Sequence, residues 1–160
     1  GEVQVTPLQM ARLYSAIANG GTLYRPQLVH EVGILDQRRF IANADANGQF
    51  GVAPDVLEMV REGLCAVTSE RAGTASQVFR DSPLLNLGIC AKTGTAQDAG
   101  QDSQPHSWFA AWGPAEQPQV VVVVMVENAG EGSAVAAPLA RRILEYYFYG
   151  PFDDEGQPVD

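Results

Sequence analysis

Leu87-Gly88-Ile89-Cys90-Ala91-Lys92-Thr93-Gly94-Thr95-Ala96-Gln97 opens a series of three strand-like runs. His106-Ser107-Trp108-Phe109-Ala110-Ala111-Trp112 and the stretch from Gln119 to Glu127 continue it. The connectors, Asp98 to Pro105 and Gly113 to Pro118, are too short for a crossover helix, so the runs are expected to pair as an antiparallel meander. The third run is apolar without interruption, which predicts burial on both faces.

Working outward, Thr6-Pro7-Leu8-Gln9 reads as a helix start, with Thr6 as N-cap, Pro7 in the first turn and Gln9 closing a capping box. Met10, Leu13, Tyr14 and Ile17 follow at helical spacing, and Asn19-Gly20-Gly21 ends the helix. Thr22 to Ile34 suggests a hairpin. Asp36 to Ala53 is polar and rich in Gly and Asn, and reads as an exposed loop. Pro54-Asp55 begins a second helix with Glu58 as capping partner, its buried face formed by Leu57, Val60, Leu64 and Val67. Thr68 to Asn86 reads as a mixed loop. Ser133 is expected to start the last helix, where Val135, Leu139, Ile143 and Tyr146 recur. The fold class is therefore α+β, a three-stranded antiparallel meander packed with helices. Residues 1–150 form the expected domain, and 151–160 an acidic, disordered tail.

With 160 residues the chain fits one domain, large enough to bury about 68–70% of its unfolded surface. Its formal net charge of −9 disfavours nucleic acid, since no basic stripe is available to displace counterions from phosphates. The apolar run from Val120 to Val126 is far shorter than the roughly 20 residues a membrane helix needs. Gly1-Glu2-Val3 is not a natural start, so the chain is expected to be a fragment or a processed piece. Cys65 and Cys90 form neither a disulfide framework nor a metal-like spacing. They read as buried thiols and leave the redox compartment open. His30 and His106 add no ligand pattern, so no metal and no cofactor is expected.

The chemistry concentrates on Lys92. It is the only lysine in the chain, every other cation being arginine, and an ammonium serves as a compact point charge beside an anion. Thr93 and Thr95 share one strand face. Both hydroxyls can donate to a carboxylate, and such bonds are stronger than those between neutral groups. Gly94 lets a ligand backbone approach closely. Together they describe a receptor for an extended, carboxylate-bearing ligand that adds on as a strand. The competing structural reading is a solvated sheet edge. A phosphate-binding loop is excluded, because it would need glycine where Asn86 and Ala91 stand. Ser107 and Ser133 read as a strand-edge hydroxyl and a helix cap. Trp108, Phe109 and Trp112 read as core.

The phrase Gly1-Glu2-Val3-Gln4-Val5-Thr6-Pro7-Leu8-Gln9-Met10-Ala11-Arg12 resembles the segment before the Lys-Thr-Gly strand of penicillin-binding-protein transpeptidase domains. So does Ala18-Asn19-Gly20-Gly21-Thr22-Leu23-Tyr24-Arg25-Pro26. Lys92-Thr93-Gly94-Thr95-Ala96-Gln97, His106-Ser107-Trp108-Phe109, Val126-Glu127-Asn128 and Ala137-Pro138-Leu139-Ala140-Arg141 then follow in the family's order. The resemblance runs to about Gly150, and His106-Ser107-Trp108-Phe109 looks closest to the class B, elongation-type synthases.

The resemblance implies the C-terminal part of a transpeptidase fold of the penicillin-binding-protein and β-lactamase type. Lys92 and Thr95 would be catalytic, and Thr93, Gly94, Thr95, Ala96 and Gln97 would bind substrate. The substrate would be a peptidoglycan stem peptide ending in D-Ala-D-Ala, mimicked by β-lactam antibiotics. The family's nucleophile belongs to Ser-x-x-Lys, which cannot occur here because Ile89 stands three residues before the only lysine, and Ser-x-Asn is also missing. Both are expected upstream, in an N-terminal half that would be this chain's first partner, so the chain alone is expected to be inactive. A membrane-embedded glycosyltransferase is a further implied partner, and the parent would be anchored at the extracytoplasmic membrane face. Without the other half, the edge of the third strand should be bare and prone to self-association. The alternative is a non-catalytic module of the same fold that senses β-lactams or wall peptides.

Overall fold

The computed structural model describes residues 3–34, 37–97 and 104–151. The tail reading for 151–160 falls outside these beyond Pro151, as does most of the Asp98–Pro105 connector.

Helix α1 spans Pro7–Ala18 and starts on the expected capping box. Gln9 N–H donates to Thr6 Oγ1 at 3.2 Å, and Thr6 N–H donates to Gln9 Oε1 at 2.8 Å. It ends at Asn19, with Gly20 at φ +85° carrying the chain away.

The hairpin expected within Thr22–Ile34 does not form. Strand β1 (Thr22–Tyr24) pairs antiparallel with β4 (Ala46–Gln49), and β2 (Glu31–Ile34) with β3 (Gln37–Ile41). These are two separate two-stranded sheets, and one strand of each, β4 and β3, lies in the stretch read as a loop. Ladder hydrogen bonds need only backbone, so the polar composition of this stretch hid the strands. Arg12 braces the arrangement from α1, donating to Tyr24 O at 2.8 Å and to Asn47 Oδ1 at 2.5 Å.

Helix α2 spans Pro54–Ser69, but its cap position is Ala53, without a side-chain cap bond. Glu58 turns instead to Arg61, at 3.2 Å. Arg61 also donates to Ile17 O at 3.3 Å, to Ala18 O and to Ala115 O at 3.1 Å, and its guanidinium lies 6.0 Å from the Trp112 ring centre. One side chain thus ties α2 to the carbonyl end of α1, where a cation is favoured. The mixed loop that follows contains a short helix α3 (Ser76–Phe79) and a 3-10 turn at Pro83–Asn86.

The meander forms as expected. Strands β5 (Cys90–Ala96), β6 (His106–Gly113) and β7 (Val120–Val126) lie in that order, with Gly94 opposite Trp108 and Ala110 opposite Val123. Alternation splits it into two faces. On one, Cys90, Ala110 and Trp112 pack with Tyr14 and Ala18 of α1. On the other, Ala91, Phe109, Ala111 and Val122 pack with Phe79, Leu84 and the last helix, α4 (Ala136–Tyr149). Phe79 stacks on Phe109 with ring centres 6.0 Å apart. Most of β7 is only half-buried although helices pack on both its faces, because it lies at the sheet edge.

Three readings are corrected here. Helix α4 begins at Ala136 rather than Ser133, and it buries Ala136, Ala137, Ala140 and Leu144. Leu139, Ile143 and Tyr146, which the sequence periodicity places on the recurring face, are exposed. Small residues let the helix backbone approach the sheet closely, and close packing outweighs the size of individual apolar groups. In α2 likewise, Leu57 and Thr68 are buried while Val60 is exposed; Thr68 donates its hydroxyl to Ile89 O beside β5. Finally, Cys65 and Cys90 are joined in a disulfide linking α2 to the first residue of β5, rather than being separate buried thiols.

Candidate active-site strand

Strand β5 is an edge: β6 is its one strand neighbour among the described residues. Lys92, Gly94 and Ala96 alternate onto the face shared with Cys90 and α1. Thr93 and Thr95 take the face of Phe109 and α4. Lys92, Thr95, Ala96 and Gln97 are exposed, and Thr93 and Gly94 are half-buried. The strand borders a cleft of about 760 Å³ whose opposite side is Val3, Gln4, Val5, Met10 and Tyr14, with His106 and Trp108 on its floor. All five sequence-predicted residues, Thr93 to Gln97, and Lys92 line that one cleft.

Within it, the Lys92 ammonium donates to Thr93 O at 2.7 Å. The Thr93 hydroxyl lies 3.0 Å from the Thr74 hydroxyl. Gly94 has a reason beyond ligand approach, since a Cβ there would sit 3.1 Å from Trp108 Cβ on the paired strand. His106 Nδ1 accepts from Asn128 N–H at 3.0 Å, which places the neutral ring's proton on Nε2. Asn128 turns the chain there with φ +51°. Burial pushes the Tyr14 phenol above its ordinary range, so it stays a neutral wall of the cleft.

Ser107 is fully buried, and it is neither an edge hydroxyl nor a nucleophile. It donates to Glu131 O at 3.0 Å and accepts from Ala136 N–H at 3.1 Å. It thereby caps α4 from β6, a role expected of Ser133. The loop it holds runs across the strands, and Gly132 packs directly on Gly94 and Trp108. Phe109 and Trp112 are core as read, whereas Trp108 lines the cleft.

Comparison with known proteins agrees with this geometry. The family model described as penicillin binding protein transpeptidase domain matches residues 1–145. The chain belongs to the penicillin-binding-protein transpeptidase family. It is 32% identical to the peptidoglycan D,D-transpeptidase MrdA of Haemophilus influenzae, over 89% of this chain and 23% of that protein. With the PbpA D,D-transpeptidase of Mycobacterium tuberculosis it shares 31%, over 93% of this chain and 30% of the relative. The chain thus spans less than a third of the curated relatives it matches.

Among solved structures, penicillin-binding protein A from M. tuberculosis, as an imipenem acyl-enzyme complex, superposes with TM-score 0.76 at 30% identity, over 92% of this chain and 32% of that one. Pseudomonas aeruginosa PBP2 in complex with WCK 5153 gives 0.74 at 30% identity, over 99% and 32%. These relatives agree with the class B, elongation-type reading, and the α+β fold with its meander matches theirs.

In this penicillin-binding-protein chain the sequence reading missed the far wall of the cleft and Thr74. Val3, Val5 and Met10 carried no chemical signal, because an apolar wall looks like core. Thr74 could have been suspected from Gly73 beside it, since a glycine so placed marks a tight backbone approach.

Proposed function

We propose that this chain is the C-terminal part of a serine D,D-transpeptidase that cross-links peptidoglycan stem peptides and is acylated by β-lactams. The observation that supports it is a free-edge strand carrying Lys92, Thr93 and Thr95 along a cleft, in a chain of this family. A stem peptide ending in D-Ala-D-Ala lies antiparallel along β5, its terminal carboxylate accepting from the Thr93 and Thr95 hydroxyls. Gly94, Ala96 and Gln97 supply the backbone against which it lies. The Thr95 N–H is one of two donors to the oxyanion of the tetrahedral intermediate, lowering the barrier by about 3 kcal/mol. Lys92 holds a positive field beside the carboxylate and polarises a serine of the Ser-x-Asn element.

The attacking serine of Ser-x-x-Lys has no counterpart here. It comes from an N-terminal half that closes the cleft over Val3–Val5, so residues 1–150 are the C-terminal half of the domain and inactive alone. The parent works at the extracytoplasmic face of the membrane, beside a membrane-embedded glycosyltransferase. Among the described residues no helix is long and apolar enough to cross a membrane.

Intact mass after incubation with benzylpenicillin, on this chain and on the full-length protein, tests the reading. One adduct on the long protein and none on the chain is the expected result. An adduct on the chain would overturn the assignment of the nucleophile. No adduct on either would favour a non-catalytic module of the same fold.

A further inference from the structure

We infer that Thr74 is a positioning residue for the substrate carboxylate, acting through Thr93; this rests on the function proposed above. Thr74 belongs to no strand and lies far from the Lys-Thr-Gly element in sequence, yet its hydroxyl oxygen is 3.0 Å from that of Thr93. Its backbone is pinned on both sides. A Cβ at Gly73 would lie 2.5 Å from Ala66 O and closer still to Val67 O, so the loop is seated on the carbonyl end of α2. Gly73 N–H donates to Glu70 O at 2.9 Å, and Ala75 N–H to Val67 O at 3.1 Å. Ala75 is fully buried, and so is Phe79, whose ring stacks on Phe109, the residue opposite Thr93. Thr74 is therefore held by the fold, and its contact with Thr93 is built rather than incidental.

The chemistry follows from proton count. Each hydroxyl has one hydrogen to give and can accept two. When Thr93 donates to Thr74, it has none for an anion. When Thr74 donates to Thr93, the Thr93 hydrogen is free to point away from Thr74, at a carboxylate. A charged acceptor makes the stronger bond, so a bound carboxylate selects the second arrangement. Thr74 then satisfies the Thr93 oxygen and fixes the direction in which its hydrogen points. Removing the Thr74 hydroxyl frees the Thr93 rotor and should slow capture of ligands that carry the carboxylate, while leaving others untouched.

The test uses the full-length protein and the second-order acylation rate constant. Probes are benzylpenicillin and its methyl ester, which lacks the anion. Thr74→Val should lower the rate with benzylpenicillin about 3- to 10-fold, the equivalent of one hydrogen bond. Its rate with the ester should stay within about twofold of wild type, and Thr74→Ser should restore the loss. In a Thr93→Val background, Thr74→Val should have no further effect, which keeps the test decisive if the single variant is poorly stable. An unchanged rate with benzylpenicillin, or an equal loss with both probes, would overturn the inference. A wild-type protein that is never acylated would overturn the proposed function, and this inference with it.

Discussion

Replacing Gly132 with alanine should cost this chain a large part of its stability. The new Cβ would lie 2.5 Å from Gly94 O, 2.8 Å from Gly94 N and closer still to Trp108 O. All three are main-chain atoms of paired strands, so no rotamer change relieves the overlap and the loop must lift. Overpacking of this kind costs about 1–3 kcal/mol. Lifting also pulls Glu131 O and Ala136 N from the Ser107 hydroxyl, at 3.0 and 3.1 Å, and leaves that fully buried group unpaired. Each lost bond adds about 1 kcal/mol, for a total of about 3–5 kcal/mol. Against a whole-domain stability of about 5–15 kcal/mol that is severe. Urea unfolding followed by tryptophan fluorescence reads it directly, since Trp108 and Trp112 lie in the affected strand. With a slope of about 2 kcal/mol/M the midpoint should fall by about 2 M. Gly63 supplies the control. It lies in α2 with nothing within 4 Å of a built Cβ, so Gly63→Ala should stabilise by about 0.5–1 kcal/mol. Opposite signs for one chemical change would establish that space, not glycine itself, decides. A Gly132→Ala midpoint within about 0.5 M of wild type would refute the packing argument.

Other outcomes follow from the same structure. Glu145 accepts from Ser82 Oγ and from Arg141 Nε, both at 2.7 Å, with its side chain only 13% exposed. Glu145→Ala should therefore lower stability by about 2 kcal/mol in urea melts, and a loss under about 0.5 kcal/mol would mean the network is idle. Tyr14 has its ionisation raised by burial above the ordinary value of 10.0, so unfolded tyrosine loses its proton first as pH rises. Its contribution is intact below pH 10.0 and is lost as pH climbs through the higher folded value. Tyr14→Phe should flatten the alkaline decline in stability, and an identical decline in the variant would count against it. The apolar β7 edge has no strand beyond it among the described residues, so the isolated chain should self-associate at high concentration. Light scattering showing a clean monomer would dismiss that.

How much was legible in the sequence depended on whether the signal was local. The capping box of Thr6 and Gln9 needs only four residues, and it forms as read. The meander needs only connector length and apolar runs, and the joint face of Thr93 and Thr95 needs only alternation. Apart from the local β2–β3 pairing, which a polar composition hid, the failures required knowledge of a distant partner. The β1–β4 pairing joins segments separated by the whole β2–β3 excursion, and β4, Ala46–Gln49, carries no strand-like pattern. The buried side of α4 is set by the sheet beneath it, against which three alanines rather than Leu139 and Ile143 are buried. The Cys65–Cys90 bond depends on α2 lying beside the start of β5, which no spacing rule reveals. The Thr74–Thr93 contact likewise arises only when the α2–α3 loop folds back onto the strand.

The two faces of the meander explain how the four residues Lys92 to Thr95 come to lie along the cleft. One face is closed by the chain's own α4, whose alanines bring it into close contact with β6 and β7, while α2 packs against β5. The other is closed by α1 only as far as Tyr14 and Trp112, and beyond them it opens into the cleft. Strand β5 runs from the closed region into the open one, buried at Cys90 and Ala91 and exposed by Thr95 and Ala96. Its first residues are therefore anchored by the disulfide and by the core, while its last residues keep side chains and an unpaired backbone edge available. A ligand lying on that edge meets the Lys92 ammonium on one side, the hydroxyls of Thr93 and Thr95 on the other, and amides between. Alternation alone assigns those sides, which is why the motif is readable before the fold is known. What is not readable is how the strand is held, because that involves Gly132 packed on Gly94, Ser107 bonded to the loop across the strands, and Thr74 beside the Thr93 hydroxyl, three residues outside the motif.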